Sequence, residues 1–295
     1  MMRNKKILII LLALIIILLI CEFYLYLEMT YKKNMVIETN LEKFEPFSKN
    51  NILKKYEVDI KLQKELPRIK AASAFYPFAA NFVQNLYNED SYSKEVLQLV
   101  STSQAFKDII SGKADIIIAT EPSEEQKEMI KKSNVDLKYK TIYLEPLAIL
   151  INKSNSIDNL DIDQIQEFYF DSNSSWNTYQ LEKNNGSQTC FESIVKNNSL
   201  SKNHYEIKTM PKIIDKIAEN KKGIGYSFYS YYSKMYKNND AKIISVNNKN
   251  IDEKDYPLLF EVYLIYREDN TNENISKIVD WLETEEGKEF IYNIK

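Results

Sequence analysis

The sequence predicts an α/β protein of two lobes, carried behind an apolar N-terminal segment. Three observations predict it. Runs rich in Ile and Val alternate with amphipathic stretches at helical spacing, the pattern of lobes built on mostly parallel sheets. About 265 residues follow the first thirty, more than a single small core needs. Two apolar extended stretches, "YLEPLAILIN" and "YPLLFEVYLIY", are each long enough to cross between lobes.

The elements follow in order. Arg3, Lys5 and Lys6 precede an uncharged run from Ile7 to Cys21. Residues 7–27 supply the roughly 20 helical residues that a bilayer core of about 30 Å requires. Phe23, Tyr24 and Tyr26 suit the interface, and the basic flank stays in the cytoplasm. Ile20 is bulkier than the residue before a lipidated cysteine should be, and no small-x-small cleavage site follows the run. The expectation is an uncleaved anchor over residues 1–30, single-pass in the cell membrane with the C-terminal domain extracytoplasmic. Lipidation at Cys21 and cleavage stay open as alternatives. Each of the three puts the body of the chain outside the cytoplasm.

Residues 31–66 read as a polar stalk and entry segment. Phe75, Phe78, Ala79, Phe82 and Leu86 lie at helical spacing. "SQAFKDIISG" reads as a short helix stopped at Gly112. "ADIIIAT" reads as a strand covered on both faces, and Pro122 suits the first turn of the next helix. "YKTIYLEPLAILIN" reads as extended and interrupted at Pro146, and "DIDQIQEFYF" as a helix opened by Asp161. The helix "CFESIV", a strand near Tyr205, the helix "PKIIDKIAEN", and strands at "GIGYS" and "AKIISV" come next. Ile275, Ile278, Val279 and Leu282 mark a final amphipathic helix. Lobe 1 is expected over 67–146 plus 251–295, and lobe 2 over 147–250.

Composition narrows the function. The formal net charge of −3 gives no basis for binding nucleic acid. One histidine and two cysteines make a metal cluster an unexpected reading, and no cofactor is expected. No nucleophile–base pair or paired carboxylates with an argued geometry point to an enzyme. His204 is read as a surface or strand residue, and Cys190, the tyrosines of "FYSYYSKMY" and the pair Trp176 and Trp281 as packing residues.

Four places before proposed helices are rich in hydroxyls: "AASAFYP", "STSQAF", "ATEPSEEQ" and "NNGSQTCF". Helix N-termini offer unpaired amides and partial positive charge, which suit oxyanions. Each alone is an ordinary cap.

Their order is more specific. With "SGKADIIIATEPSEEQ", "DNLDIDQIQEFY", "GIGYSFYSYY" and "IVDWLETEEGKEFI", the chain over roughly residues 45–293 resembles the substrate-binding component of bacterial phosphate ABC importers, the PstS-like family. The resemblance implies a type II periplasmic-binding-protein fold with hinge strands, inorganic phosphate or a similar oxyanion as ligand, and an ABC permease as partner. It implies ligand contacts from Ser73, from Thr102 and Ser103, from Thr120 with Glu121 beside it, and from Gly186, Ser187, Gln188 and Thr189. Two departures stand out. The family's aspartate place falls on Thr120, and its arginine place on Leu181. The leading expectation is a membrane-anchored solute-binding protein. The alternative is a non-transport sensor or interaction module that kept the fold and lost tight phosphate binding.

Overall fold

The computed structural model describes residues 12, 14–26, 41–195 and 203–295. Residues 14–26 are helical. Among the described residues no helix is long and apolar enough to cross a membrane. The expected span over 7–27 lies partly outside them.

The compact unit begins at Lys43 and runs to Lys295. Its first half comprises β1 (Ile69–Ala71), α1 (Tyr76–Leu86), β2 (Leu97–Leu99), α2 (Thr102–Ile110), β3 (Ile116–Ala119) and α3 (Glu124–Ser133). The long β4 (Leu137–Asn152) leads on to β5 (Asn159–Leu160), α4 (Ile162–Phe170), β6 (Asn177–Leu181) and α5 (Gly186–Ile194). After these come β7 (His204–Ile207), α6 (Met210–Glu219), β8 (Gly223–Phe228), β9 (Ala241–Ile243) and β10 (Ser245–Val246). β11 (Leu259–Arg267), α7 (Glu273–Trp281) and α8 (Glu285–Ile294) close the chain.

The strands run in the order β2-β1-β3-β11-β4-β8-β6-β7, with β9 also on β4, and β10 pairs β5 in a separate ribbon. β4 belongs to both halves of this path. Leu137–Pro146 pairs with β11, and Leu147–Ile151 pairs with β8. β4 therefore changes partners at the Pro146–Leu147 step. Pro146 does not interrupt the strand as expected. It sits opposite Leu259, where the partner strand changes, so its missing N–H costs little pairing. The next amide, on Leu147, donates to the Leu258 carbonyl at 2.9 Å.

The sheet is mixed rather than mostly parallel. β1 pairs in parallel with β2 and β3, and β6 with β7 and β8, as crossover connections demand. β4 and β11, which join and close the lobes, pair antiparallel.

Most expected elements form for the reasons their residues suggest. β3 is buried along its whole length between β1 and β11. Against it α2 packs Ala105, Phe106 and Ile109, all within 1% of full burial. Each large side chain buried this way contributes roughly 1.5–3 kcal/mol. α2 stops where Gly112 takes φ 71°, a left-handed conformation suited to glycine. Pro122 lies before the α3 N-cap, Ser123, rather than in its first turn. The last amphipathic segment is two helices, not one. Thr284 caps α8, and a Cβ on Gly287 would lie 2.2 Å from the Trp281 carbonyl oxygen, so the corner accepts only glycine.

Candidate functional site

Three strand-to-helix junctions meet at one point between the lobes. Ser101 caps α2 by accepting from the Gln104 amide at 3.2 Å, which places Thr102 and Ser103 in its first turn. β3 ends at Ala119 and delivers Thr120, Glu121, Pro122 and the cap Ser123. β6 leads through Asn184 to the cap Asn185 and to Gly186 at the start of α5. The Gly186 amide donates to Thr102 Oγ1 at 3.2 Å. A Cβ on Gly186 would lie 3.2 Å from Thr120 Oγ1 and 3.4 Å from Thr102 Oγ1. The glycine is there for close approach. The left-handed turn is made by its neighbour Asn184, at φ 65°.

The other expected contacts divide. The Ser187 amide and hydroxyl both donate to Asn185 Oδ1, at 3.1 and 3.0 Å, so they serve the cap. Gln188 turns into the second lobe, where it accepts from the Tyr226 hydroxyl and donates to Glu192 Oε1 at 2.8 Å. Thr189 lines a cavity of about 890 Å³ beside the junction. Ser103 donates to the Asn184 carbonyl at 3.3 Å. Ser73 precedes α1 and lies outside the lining of that cavity. Leu181 is buried at 1% exposure.

The cavity is lined by Thr120, Glu121, Asn184 and Thr189 among others. Its wall carries five carboxylates, those of Glu121, Glu124, Glu125, Glu192 and Glu261, against two lysines, Lys127 and Lys183. Lys127 pairs with Glu124 at 2.9 Å. The field at the mouth is negative. The inner wall holds Cys190, whose thiol is pushed up to about 12 by burial, with the Thr120 hydroxyl opposing in part. Among the described residues no group of three or more His, Cys, Asp or Glu is placed to hold a metal ion.

Several residues at the junction are not assigned to the site by the sequence. Phe75 and Phe228 pack at 5.1 Å between ring centroids, and both are buried. An edge of Phe228 would lie 3.8 Å from a Cβ on Gly186. Glu145 precedes Pro146, where β4 changes partners, and accepts from the Ser230 amide at 2.7 Å. Burial raises its carboxyl to about 7, and the charge of Lys234 pulls the other way. The signal for Asn184 was available: an Asn-Asn-Gly turn tolerates left-handed backbone at its asparagines. Ser123 and Gln126 carry the S-x-x-Q pattern of a capping box, which they form.

Comparison with known proteins agrees with this architecture. A family model described as a PBP superfamily domain matches residues 64–292. The phosphate-binding protein PstS of Staphylococcus aureus is 23% identical over 241 residues, covering 74% of this chain and 73% of that protein. Among solved structures, one described as a phosphate ABC transporter substrate-binding protein with bound phosphate, from Clostridium perfringens, aligns with TM-score 0.58. It is 17% identical, over 79% of this chain and 97% of that one. The OxyR2 regulatory domain of Vibrio vulnificus aligns with TM-score 0.53 at 11% identity, over 81% of this chain and 99% of that one. At these identities the structures speak for the fold alone. With the matched model spanning most of its length, the chain belongs to the PBP superfamily, as a PstS-like member.

Proposed function

We propose that the chain is an extracytoplasmic, membrane-anchored solute-binding protein whose inter-lobe junction takes a small oxyanion, phosphate first, for an ABC permease. One observation carries the reading: Thr102, Thr120 and Gly186 converge from three helix starts on a single point. Amides and hydroxyls at helix starts suit an oxyanion, and the relatives named for phosphate supply the ligand. The lobes are taken as 67–146 with 251–295, and 147–250.

Binding is weak in this reading. Leu181 leaves the junction without a guanidinium, and a charge-assisted hydrogen bond contributes roughly 1.5–3 kcal/mol, about ten- to a hundredfold in Kd. Thr120 donates or accepts where a carboxylate would only accept, so sulfate is tolerated beside phosphate. Calorimetric titration of the full chain with phosphate and with sulfate tests this, alongside Thr120→Asp. The variant should gain preference for phosphate over sulfate. Strong phosphate preference in the native chain would overturn the assignment of Thr120.

The second reading is a sensor or interaction module that kept the fold without tight binding. The buried Phe75–Phe228 contact and the acidic cavity favour it. No heat and no thermal shift at millimolar phosphate would decide for it. The anchor is tested separately by mass spectrometry of the membrane fraction. A mature chain beginning at Cys21 with a diacylglycerol adduct would refute an uncleaved anchor.

A further inference from the structure

Among the contacts that tie the lobes to each other, four hydrogen bonds come from one residue, Asn184. Asn184 sits in the loop between β6 and α5, in the second lobe, and its polar atoms reach the starts of α2 and α3 in the first. Its carbonyl oxygen accepts from Ser103 Oγ at 3.3 Å and from Gln126 Nε2 at 3.0 Å. Its side-chain Oδ1 accepts from Ser123 Oγ at 2.6 Å, and its Nδ2 donates to Glu125 Oε2 at 2.6 Å. Two residues on, the Gly186 amide donates to Thr102 Oγ1.

The donors are held ready. Ser123 and Gln126 form a reciprocal capping box, with the Ser123 amide donating to Gln126 Oε1 at 2.9 Å and the Gln126 amide to Ser123 Oγ at 3.2 Å. What the box leaves over, the Ser123 hydroxyl proton and the Gln126 amide protons, points at Asn184. Both residues are buried, at 8% and 3% exposure. A partner lost from such donors costs their full desolvation. The left-handed backbone of Asn184 turns its carbonyl and its side-chain amide toward the same helix starts. Helix-start donors of this kind would otherwise serve a ligand's oxygens. Here oxygens of the chain itself take them.

We propose that Asn184 is an internal ligand: it holds the two lobes closed with no solute present, and an oxyanion entering the junction competes with it. The first clause stands on the contacts alone. The second rests on the oxyanion reading above.

The test is a spin-label distance measurement on the full chain. Labels go on Lys131→Cys in α3 and Glu206→Cys in β7, both exposed, in a Cys21→Ser background; Cys190 is buried and stays unlabelled. Without phosphate the parent should give one narrow distance. Asn184→Gly keeps the left-handed backbone and deletes the side-chain bonds, so its distance should lengthen and broaden. Asn184→Asp keeps the acceptor for Ser123 but sets a carboxylate against Glu125. It should open the lobes at neutral pH, and Glu125→Gln added to it should close them again. A parent already broad without phosphate would overturn the proposal. So would an Asn184→Gly distance equal to the parent's, or an Asn184→Asp chain that Glu125→Gln does not re-close. Inorganic phosphate at millimolar concentration is then added to Asn184→Gly. Return to the short distance supports competition at the junction. No return counts against the oxyanion reading and leaves the latch standing.

Discussion

Gly186 and Glu145 are the residues on which the junction turns. A methyl at Gly186 would press on the Thr120 hydroxyl at 3.2 Å, while Thr102 Oγ1, at 3.4 Å, would be in ordinary contact. Overpacking of this kind costs about 1–3 kcal/mol. Gly186→Ala should therefore lower the denaturation midpoint by a corresponding amount, and a neutral result would mean that the lobes part easily. Glu145 makes a prediction in pH. Its folded carboxyl is raised to about 7 from an ordinary 4.5, so between those values the folded state holds more proton than the unfolded one. Stability should thus fall as pH rises from about 4.5 to about 7, by a few kcal/mol, and level off above. Glu145→Gln keeps an acceptor for the Ser230 amide and removes the titration. Urea denaturation at pH 5 and pH 8 should show the native chain losing more stability than the variant, and equal losses would place the pH dependence elsewhere.

At the scale of elements, β1 and α2 are tied by a buried ion pair, Lys70 Nζ to Asp108 Oδ2 at 2.6 Å, with Gln104 donating to Asp108 Oδ1 at 2.8 Å. The pair fixes the helix that presents Thr102 and Ser103. Lys70→Met leaves a buried carboxylate without its cation and should cost about 3–5 kcal/mol. Lys70→Met with Asp108→Leu should recover much of that in chemical denaturation. Elements were the legible part of the sequence. The periodicity of "ADIIIAT" and "SQAFKDIISG" is enough for β3 and α2, because burial on both faces and a glycine stop are local properties. Pro146 misled, since whether a missing N–H matters depends on which strand lies opposite, and that strand begins more than a hundred residues later. The hydroxyls of Thr102 and Thr120 could be named from sequence, but not their closeness to Gly186. That is set by how two lobes meet. Gln188 turned inward because a buried tyrosine hydroxyl, Tyr226, needed an acceptor, a pairing that no short motif announces.

For the molecule as a whole, the charge around the cavity mouth opposes the proposed ligand. Five carboxylates face two lysines, one of them already paired. Their repulsion is screened as the Debye length falls from about 30 Å at 0.01 M salt to about 8 Å at 0.15 M. Phosphate affinity should therefore rise with salt over that range, the reverse of a cationic site, and titrations at the two salt concentrations check it. A fall would show that a cation on the entry path outweighs the carboxylates.

The position of β11 has a consequence for synthesis. It is the last strand of the chain, yet it lies between β3 and β4 in the middle of the first lobe's sheet. On the ribosome β3 and β4 emerge long before the strand that joins them. Until β11 arrives, the backbone edges of β3 and of the first part of β4 stay unpaired. The strands that fill the other end of the path, β6, β7 and β8, are made from one continuous stretch and depend on no such wait. Pairings between distant parts of a chain form slowly. The second lobe should acquire its order first, and the first lobe should remain the aggregation-exposed half of the newborn protein until the residues of β11, Leu259–Arg267, are free.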